Sequence, residues 1–263
     1  MDDVRRRLDD LKAARRSAAH APPRRATPVS SRLDDVLGGH EIECQGRRCW
    51  LVETPLIEVC AEAHVGRWDL SRGLRDPTRH ATDPIVEPPR TMVLDIETGG
   101  FAGMPVFLIG VVLLDRQPLR VDQYLARDYP EEEAILRAFA EVAAQRDTWV
   151  TFNGRSFDEP FLRDRAILHR VPLASARLHI DLLHAARRQW RHALPNCRLG
   201  TLEEHVLRRP RIGDVPSSDV PDLFHHFIRT GNAGPLGPVL EHNRLDLVAC
   251  TELLVRLGAV GHE

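Results

Sequence analysis

Lysine is almost absent from this chain of 263 residues. Lys12 is the one lysine among 36 basic side chains, and the other 35 are arginines. With 38 acids the net charge is −2, so no global basic field announces a polyanionic partner. Arginine offers a planar fork suited to phosphate, but a genome rich in Arg, Ala and Gly codons explains most of this bias. Cysteine is scarce too. Cys44, Cys49, Cys60, Cys197 and Cys250 are odd in number and include no C-x-x-C pair. That pattern excludes a disulfide framework and a cysteine zinc site, and it fits a reducing cytoplasm. Long apolar runs are missing, which excludes a membrane-spanning helix. The N-terminus lacks the apolar core of a signal peptide, and Asp2, Asp3, Asp9 and Asp10 argue against a transit peptide.

What is present is enough for one large domain or a domain with a small appendage. Hydrophobic residues make up 43% of the chain, sufficient for a sizeable core. Residues 1–32 hold eight Arg, Lys12 and four acids, so this segment is +5 and the remainder −7. Val4, Leu8 and Leu11 have helical spacing, and Ala21 to Ser31 reads as a linker. A flexible basic tail is expected over 1–32, with a nucleic-acid-binding arm as the alternative. Residues 33–89 read as a small β-rich region, with short strands at Glu41–Glu43, Arg48–Glu53 and Leu56–Ala61.

From Arg90 the pattern becomes regular. Thr91–Leu94, Val106–Leu114 and Arg120–Leu125 read as three short-linked strands of an antiparallel meander. Pro130–Arg146 reads as an amphipathic helix, with Ile135, Ala138, Phe139 and Val142 on one stripe and three Glu in the first turn. Thr148–Phe152 and Leu178–Ile180 are further strands. Helices are expected at Ser156–Arg170, with Ser156 as cap, and at Leu182–Arg191, capped by Asp181. Leu199–Leu207, Asp222–Arg229 and Val239–Leu257 also read as helical. The order is that of an α/β fold: a mixed five-stranded sheet, its first three strands antiparallel, flanked by helices.

Chemistry gathers at four acids. Asp95 and Glu97 stand two apart on the first strand of this domain, so both carboxylates share a face. Two such groups repel unless a cation lies between them, and hard oxygen donors suit Mg²⁺ or Mn²⁺. Thr98, Gly99 and Gly100 break the strand and let a ligand approach the backbone. Asp158 follows the fourth strand, beside the strand end where ligands collect in α/β sheets; it also fits as a first-turn acid favoured by the helix dipole. His242 and Asp246 lie four apart on the last helix and share a face.

Three motifs carry a family likeness: Asp95-Ile-Glu97-Thr-Gly, Asn153-Gly-Arg-Ser-Phe157-Asp158 and His242-Asn-Arg-Leu-Asp246. In these the chain resembles the DEDD exonucleases of the RNase H-like superfamily. It is most similar to their YprB-like branch, on Asp181-Leu-Leu-His184, Arg187-Arg188-Gln-Trp190, Cys197-x-Leu199-x-x-Leu202-Glu203 and Arg211-Ile-Gly-Asp214-Val-Pro216. The likeness covers about residues 90–257, within an exonuclease domain expected over 90–263. It implies a metal-dependent 3′–5′ exonuclease acting on single-stranded DNA or RNA. Two ions, Mg²⁺ or Mn²⁺, would be held by Asp95, Glu97, Asp158 and Asp246. His242 is a catalytic candidate that could orient a water, and Thr98, Gly99, Phe101 and Asn153 would touch substrate. Phe157 is expected in the core. In the third motif the family places Tyr four residues before the Asp or His five before it; here His242 takes the four-residue position and Glu241 the five-residue one. An RNase H-type endonuclease and a catalytically inactive nucleic-acid-binding module are the competing readings.

Overall fold

The computed structural model describes residues 30–60, 74–78, 85–101 and 103–258. The expected N-terminal helix and the expected tail up to residue 29 lie outside these residues. In chain order come α1 (Ser30–Leu37), β1 (His40–Cys44), β2 (Arg47–Pro55), α2 (Leu56–Val59), β3 (Leu74–Arg75), β4 (Ile85–Val86), β5 (Thr91–Thr98), β6 (Val106–Leu113) and β7 (Arg120–Leu125). Next are α3 (Glu132–Ala143), β8 (Thr148–Thr151), α4 (Asp158–Leu168), β9 (Leu178–Asp181) and α5 (Leu182–Trp190). The chain continues through α6 (Leu199–His205), α7 (Val220–Thr230) and α8 (Leu236–Gly258).

Strand β6 reads VFLIGVVL, without a polar side chain, and all eight residues are buried. A run of this kind is covered on both faces. It lies at the centre of a seven-stranded sheet of order β1-β2-β7-β6-β5-β8-β9. The pairs from β1 to β5 are antiparallel, while β5–β8 and β8–β9 are parallel. The five expected strands are therefore β5 to β9, in a mixed α/β sheet as anticipated. Two further strands join them. β1 and β2, from the region expected to form a small β-rich extension, add to the same sheet through β2–β7 pairing at Trp50↔Leu125 and Val52↔Gln123. The expected strand at Leu56–Ala61 is instead a short helix, α2. Pro55 ends the ladder, and Leu56 turns inward to full burial while its N–H bonds Leu119 O.

Alternation divides the sheet faces. On one face Val93, Val112, Val121, Val150 and Ile180 pack with Leu247, Cys250 and Leu254 of α8 and with Leu182 and Ala186 of α5. Asp95 and Glu97 follow Val93 at spacings of two, so they share the α8 face. Helix α3 supplies Phe139, whose ring meets Trp149 of β8 edge-on at 5.6 Å. Its buried Glu132 accepts from Val106 N at 2.8 Å, from Arg165 Nε at 2.6 Å and bonds His169 Nε2 at 2.7 Å. One carboxylate thus ties the start of β6 to α4. All five cysteines are free thiols, and no helix among the described residues is long and apolar enough to cross a membrane.

Candidate active site

The β5–β8 ladder ends at Val93↔Val150, just before Asp95. Beyond it the two strands part, and the chain after β8 turns sharply. Asn153 takes φ +66 there, and Ser156 N bonds Asn153 O at 3.2 Å. The buried Asp181 pins this turn by accepting from Asn153 N at 2.8 Å and Arg155 N at 3.3 Å. It also accepts from Leu183 N at 3.0 Å, so it caps α5 as expected. Ser156 does not cap α4, which begins at Asp158 after the turn, with Phe157 preceding it. That placement turns Phe157 outward to 46% exposure rather than into the core. It turns Asp158 inward, and backbone hydrogen bonds from its own N–H and from Ile96 hold the carboxylate.

Helix α8 brings the fourth acid. It can lie close on the sheet at Asp95 because Gly110 stands opposite that residue on β6. A Cβ at Gly110 would meet Asn243 Oδ1 at 2.2 Å and Leu247 Cδ1 at 2.6 Å. Asn243 Nδ2 donates to Asp95 Oδ2 at 2.7 Å. Its own Oδ1 accepts from Gln123 Nε2 at 2.7 Å, and Gln123 Oε1 accepts from Arg244 Nε at 2.9 Å.

Asp95, Glu97, Asp158, Asp246 and His242 line one cavity of about 320 Å³, together with Thr98, Gly100, Asn153, Phe157 and Ser217. Acids from three separate stretches of the chain are therefore brought to one place. Of the expected substrate contacts, Thr98 and Asn153 line the cavity. Gly99 does not; its N–H bonds Pro105 O at 2.8 Å, and its carbonyl is held by His225 Nε2 at 2.9 Å. Gly100 lines the wall in its stead. Phe101 lies outside the cavity and is 91% exposed.

Burial and mutual repulsion shape the electrostatics of the cavity. Burial raises the Asp95 carboxyl well above its usual range, and repulsion from Asp246, Glu97 and Asp158 adds to it. Burial raises Glu97 likewise, reinforced by Asp246, Asp158 and Asp214. Asp158 is pushed up to about 7, chiefly by burial. Buried carboxylates that repel one another and present only hard oxygen donors fit divalent ions of the Mg²⁺ or Mn²⁺ kind. Among the described residues no three His, Cys, Asp or Glu side chains are gathered into a finished metal cage. Two of the oxygens concerned have other partners: Asp95 Oδ2 takes Asn243, and Asp246 Oδ1 takes Arg211 Nη2.

His242 is buried rather than displayed on the helix surface. Its Nδ1 lies 2.8 Å from Asp214 Oδ2, and its Nε2 lies 3.2 Å from Ser217 Oγ. Both ring nitrogens therefore have polar partners, and the residue lines the cavity. Asp246 Oδ2 is 4.0 Å from Nε2. The sequence reading assigned no role to Asn243, Gln123, Ser217, Asp214, Glu203 or Arg211. Asp214, Glu203 and Arg211 lay in the motifs of the YprB likeness, which was the one available signal.

The profile of the RNase H superfamily, a superfamily of nucleases, matches residues 92–258. Over 169 residues the chain is 34% identical to the uncharacterized protein YprB of Bacillus subtilis (strain 168), a match covering 62% of this chain and 41% of YprB. The chain thus spans less than half the length of that relative. Among solved structures, the family B DNA polymerase from the hyperthermophilic archaeon Pyrobaculum calidifontis superposes with a TM-score of 0.54 at 18% identity. That superposition covers 66% of this chain and 25% of the polymerase, and the likeness is one of fold. The similarity to YprB read from the motifs is thereby found over 169 residues.

Proposed function

Because the chain belongs to the RNase H superfamily, we propose that it is a metal-dependent 3′–5′ exonuclease of the DEDD type, acting on single-stranded DNA or RNA in the cytoplasm. One observation carries this reading: four carboxylates and a histidine from β5, α4 and α8 line a single cavity. Asp95, Glu97 and Asp158 would hold one divalent ion, and Asp95 with Asp246 the other. Two such ions, Mg²⁺ or Mn²⁺, supply charge neutralisation at the phosphoryl oxygens and a more acidic water.

The protein's own groups do the rest. His242 Nε2 accepts the proton of the attacking water, and Asp214 stabilises the imidazolium that results. Ser217 Oγ, within hydrogen-bond reach of Nε2, marks where a hydroxyl or water sits against that nitrogen. Asn243 fixes the Asp95 carboxylate through a bond to Oδ2. The Thr98–Gly100 backbone, tied to α7 by His225, forms a wall for the terminal nucleotide. Phe157, which lines the cavity, and Phe101, which follows Gly100 in the chain, are exposed aromatics, and bases stack on such faces. Strand polarity and preference for single strands rest on the likeness to the DEDD exonucleases.

The test is degradation of end-labelled single-stranded DNA and RNA with Mg²⁺ or Mn²⁺, comparing wild type with Asp95→Asn and Asp246→Asn. A ladder shortening from the 3′ end, abolished by both substitutions and by chelator, is the expected result. Internal cuts would make the protein an endonuclease. Binding of either polymer without any cleavage would make it a binding module and sink the exonuclease reading.

A further inference from the structure

Arg211, on the loop after α6, makes an unusual set of bonds. Three of its nitrogens reach three different carboxylates. Nε donates to Glu203 Oε2 at 2.5 Å, Nη1 to Asp214 Oδ2 at 2.9 Å, and Nη2 to Asp246 Oδ1. The side chain is largely buried, at 14% exposure, and Glu203 is almost wholly so, at 1%. Among the described residues no other arginine pairs with any of the four carboxylates of the cavity. Nearby Arg209 turns away to Glu252 at 2.6 Å.

A guanidinium on Asp246 Oδ1 and a divalent ion on the same carboxylate oppose each other. Both are cations, and in a poorly solvated site their repulsion is weakly screened. Arg211 also has somewhere to go. It lines a cavity of about 530 Å³ together with Glu203, Arg209, Asp214 and Glu241 among others. Glu203 and Asp214 can retain the guanidinium while its Nη2 leaves Asp246. From this geometry we propose that Arg211 is the internal counter-cation of the acid cluster, and that a divalent ion engages Asp246 only by displacing its guanidinium. The proposal rests on the metal-dependent reading above and assigns Arg211 a positioning role: it sets how tightly the ion binds by competing for its ligand.

The decisive measurement is Mn²⁺ affinity, by calorimetry and electron paramagnetic resonance, for wild type, Arg211→Gln and Arg209→Gln. Loss of a competing charge-assisted bond corresponds to a factor of roughly ten to a hundred. Arg211→Gln should therefore bind Mn²⁺ at least about tenfold more tightly, while Arg209→Gln stays close to wild type. A merely structural role would leave affinity unchanged or weaken it. Equal tightening in both variants would reduce the effect to general charge removal and overturn the proposal. So would unchanged or weaker binding by Arg211→Gln when wild type binds the ion. Absence of Mn²⁺ binding in every protein would overturn the metal-dependent reading and the proposal together. If Arg211→Gln does not fold, the wild type still decides. The Arg211 Nη2–H resonance should shift when Mg²⁺ is added, because that group leaves Asp246, and a resonance unmoved at saturating Mg²⁺ refutes displacement.

Discussion

Replacing Gly110 by alanine tests how the site is held. The added Cβ would stand 2.2 Å from Asn243 Oδ1 and 2.6 Å from Leu247 Cδ1, both well inside contact distance. Neither neighbour yields freely. Asn243 and Leu247 are fully buried, and Asn243 is bonded on one side to Gln123 and on the other to Asp95. Either α8 lifts from the sheet or Asn243 abandons its bonds. Overpacking of a core typically costs about 1–3 kcal/mol. A buried polar group left unsatisfied adds about 1–3 kcal/mol. Together these give about 2–6 kcal/mol, which for a chain of this size lowers the melting temperature by about 4–24 °C. The assay is thermal unfolding followed by calorimetry, with Gly237→Ala as control. Gly237 also lies on α8, and its Cβ would meet nothing within 4 Å, so that variant should melt with wild type. A loss below about 2 °C for Gly110→Ala would refute the claim that close approach at this glycine fixes α8 against Asp95.

Other outcomes follow from the same contacts. In metal-free protein, Asp158→Asn should gain stability over wild type as pH rises. The folded carboxyl titrates at about 7 against an ordinary 3.8, so its stabilising protonated form is lost as pH rises through that window, and melting curves of the pair should diverge between those values. Asp214→Asn should leave the fold intact but release Nδ1 of His242. Turnover should fall about 10–100-fold with little change in substrate affinity, as measured by single-turnover kinetics. His242→Gln should cost more, about 10²–10⁴-fold in the same assay. Glu132→Ala leaves Arg165, His169 and Val106 N without their shared partner, and denaturant unfolding should report a loss of about 3–5 kcal/mol.

Legibility from sequence varied with the kind of contact. Asp95 and Glu97 were readable because strand alternation is rigid: two residues apart means one face. Asp181 was readable because a cap is a local event, one side chain meeting an N–H two residues on. Phe157 was misplaced because the start of α4 depends on the Asn153 turn, which Asp181 anchors from 26 to 28 residues away. That shifts the helix start and turns the ring outward. Gln123 gave no signal either, and Asn243 none beyond its place in the third motif. A Gln on a strand read as alternating and an Asn on an amphipathic helix look like surface residues. They are buried because β2 covers the far edge of β7 and α8 presses on the sheet, and both are tertiary facts. Arg211 lies in a loop without periodicity, so only the likeness to YprB drew notice to it.

The hairpin of β1 and β2 has a consequence for dissecting this protein. Strand β7 is buried from Val121 to Leu125, and β2 pairs with it along its length, from Pro55↔Arg120 to Trp50↔Leu125. Outside β2 lies β1, His40–Cys44, short and mostly exposed, with Glu41 and Glu43 among its residues. A charged, exposed margin of that kind discourages strand-to-strand association between molecules. Expressing residues 92–258 alone, the span that matches the superfamily profile, would remove both strands and leave β7 as an unpaired edge. The excised piece should self-associate on expression. The hairpin is thus the sheet's insulation, and the smallest well-behaved unit starts upstream of the residues that carry the acids.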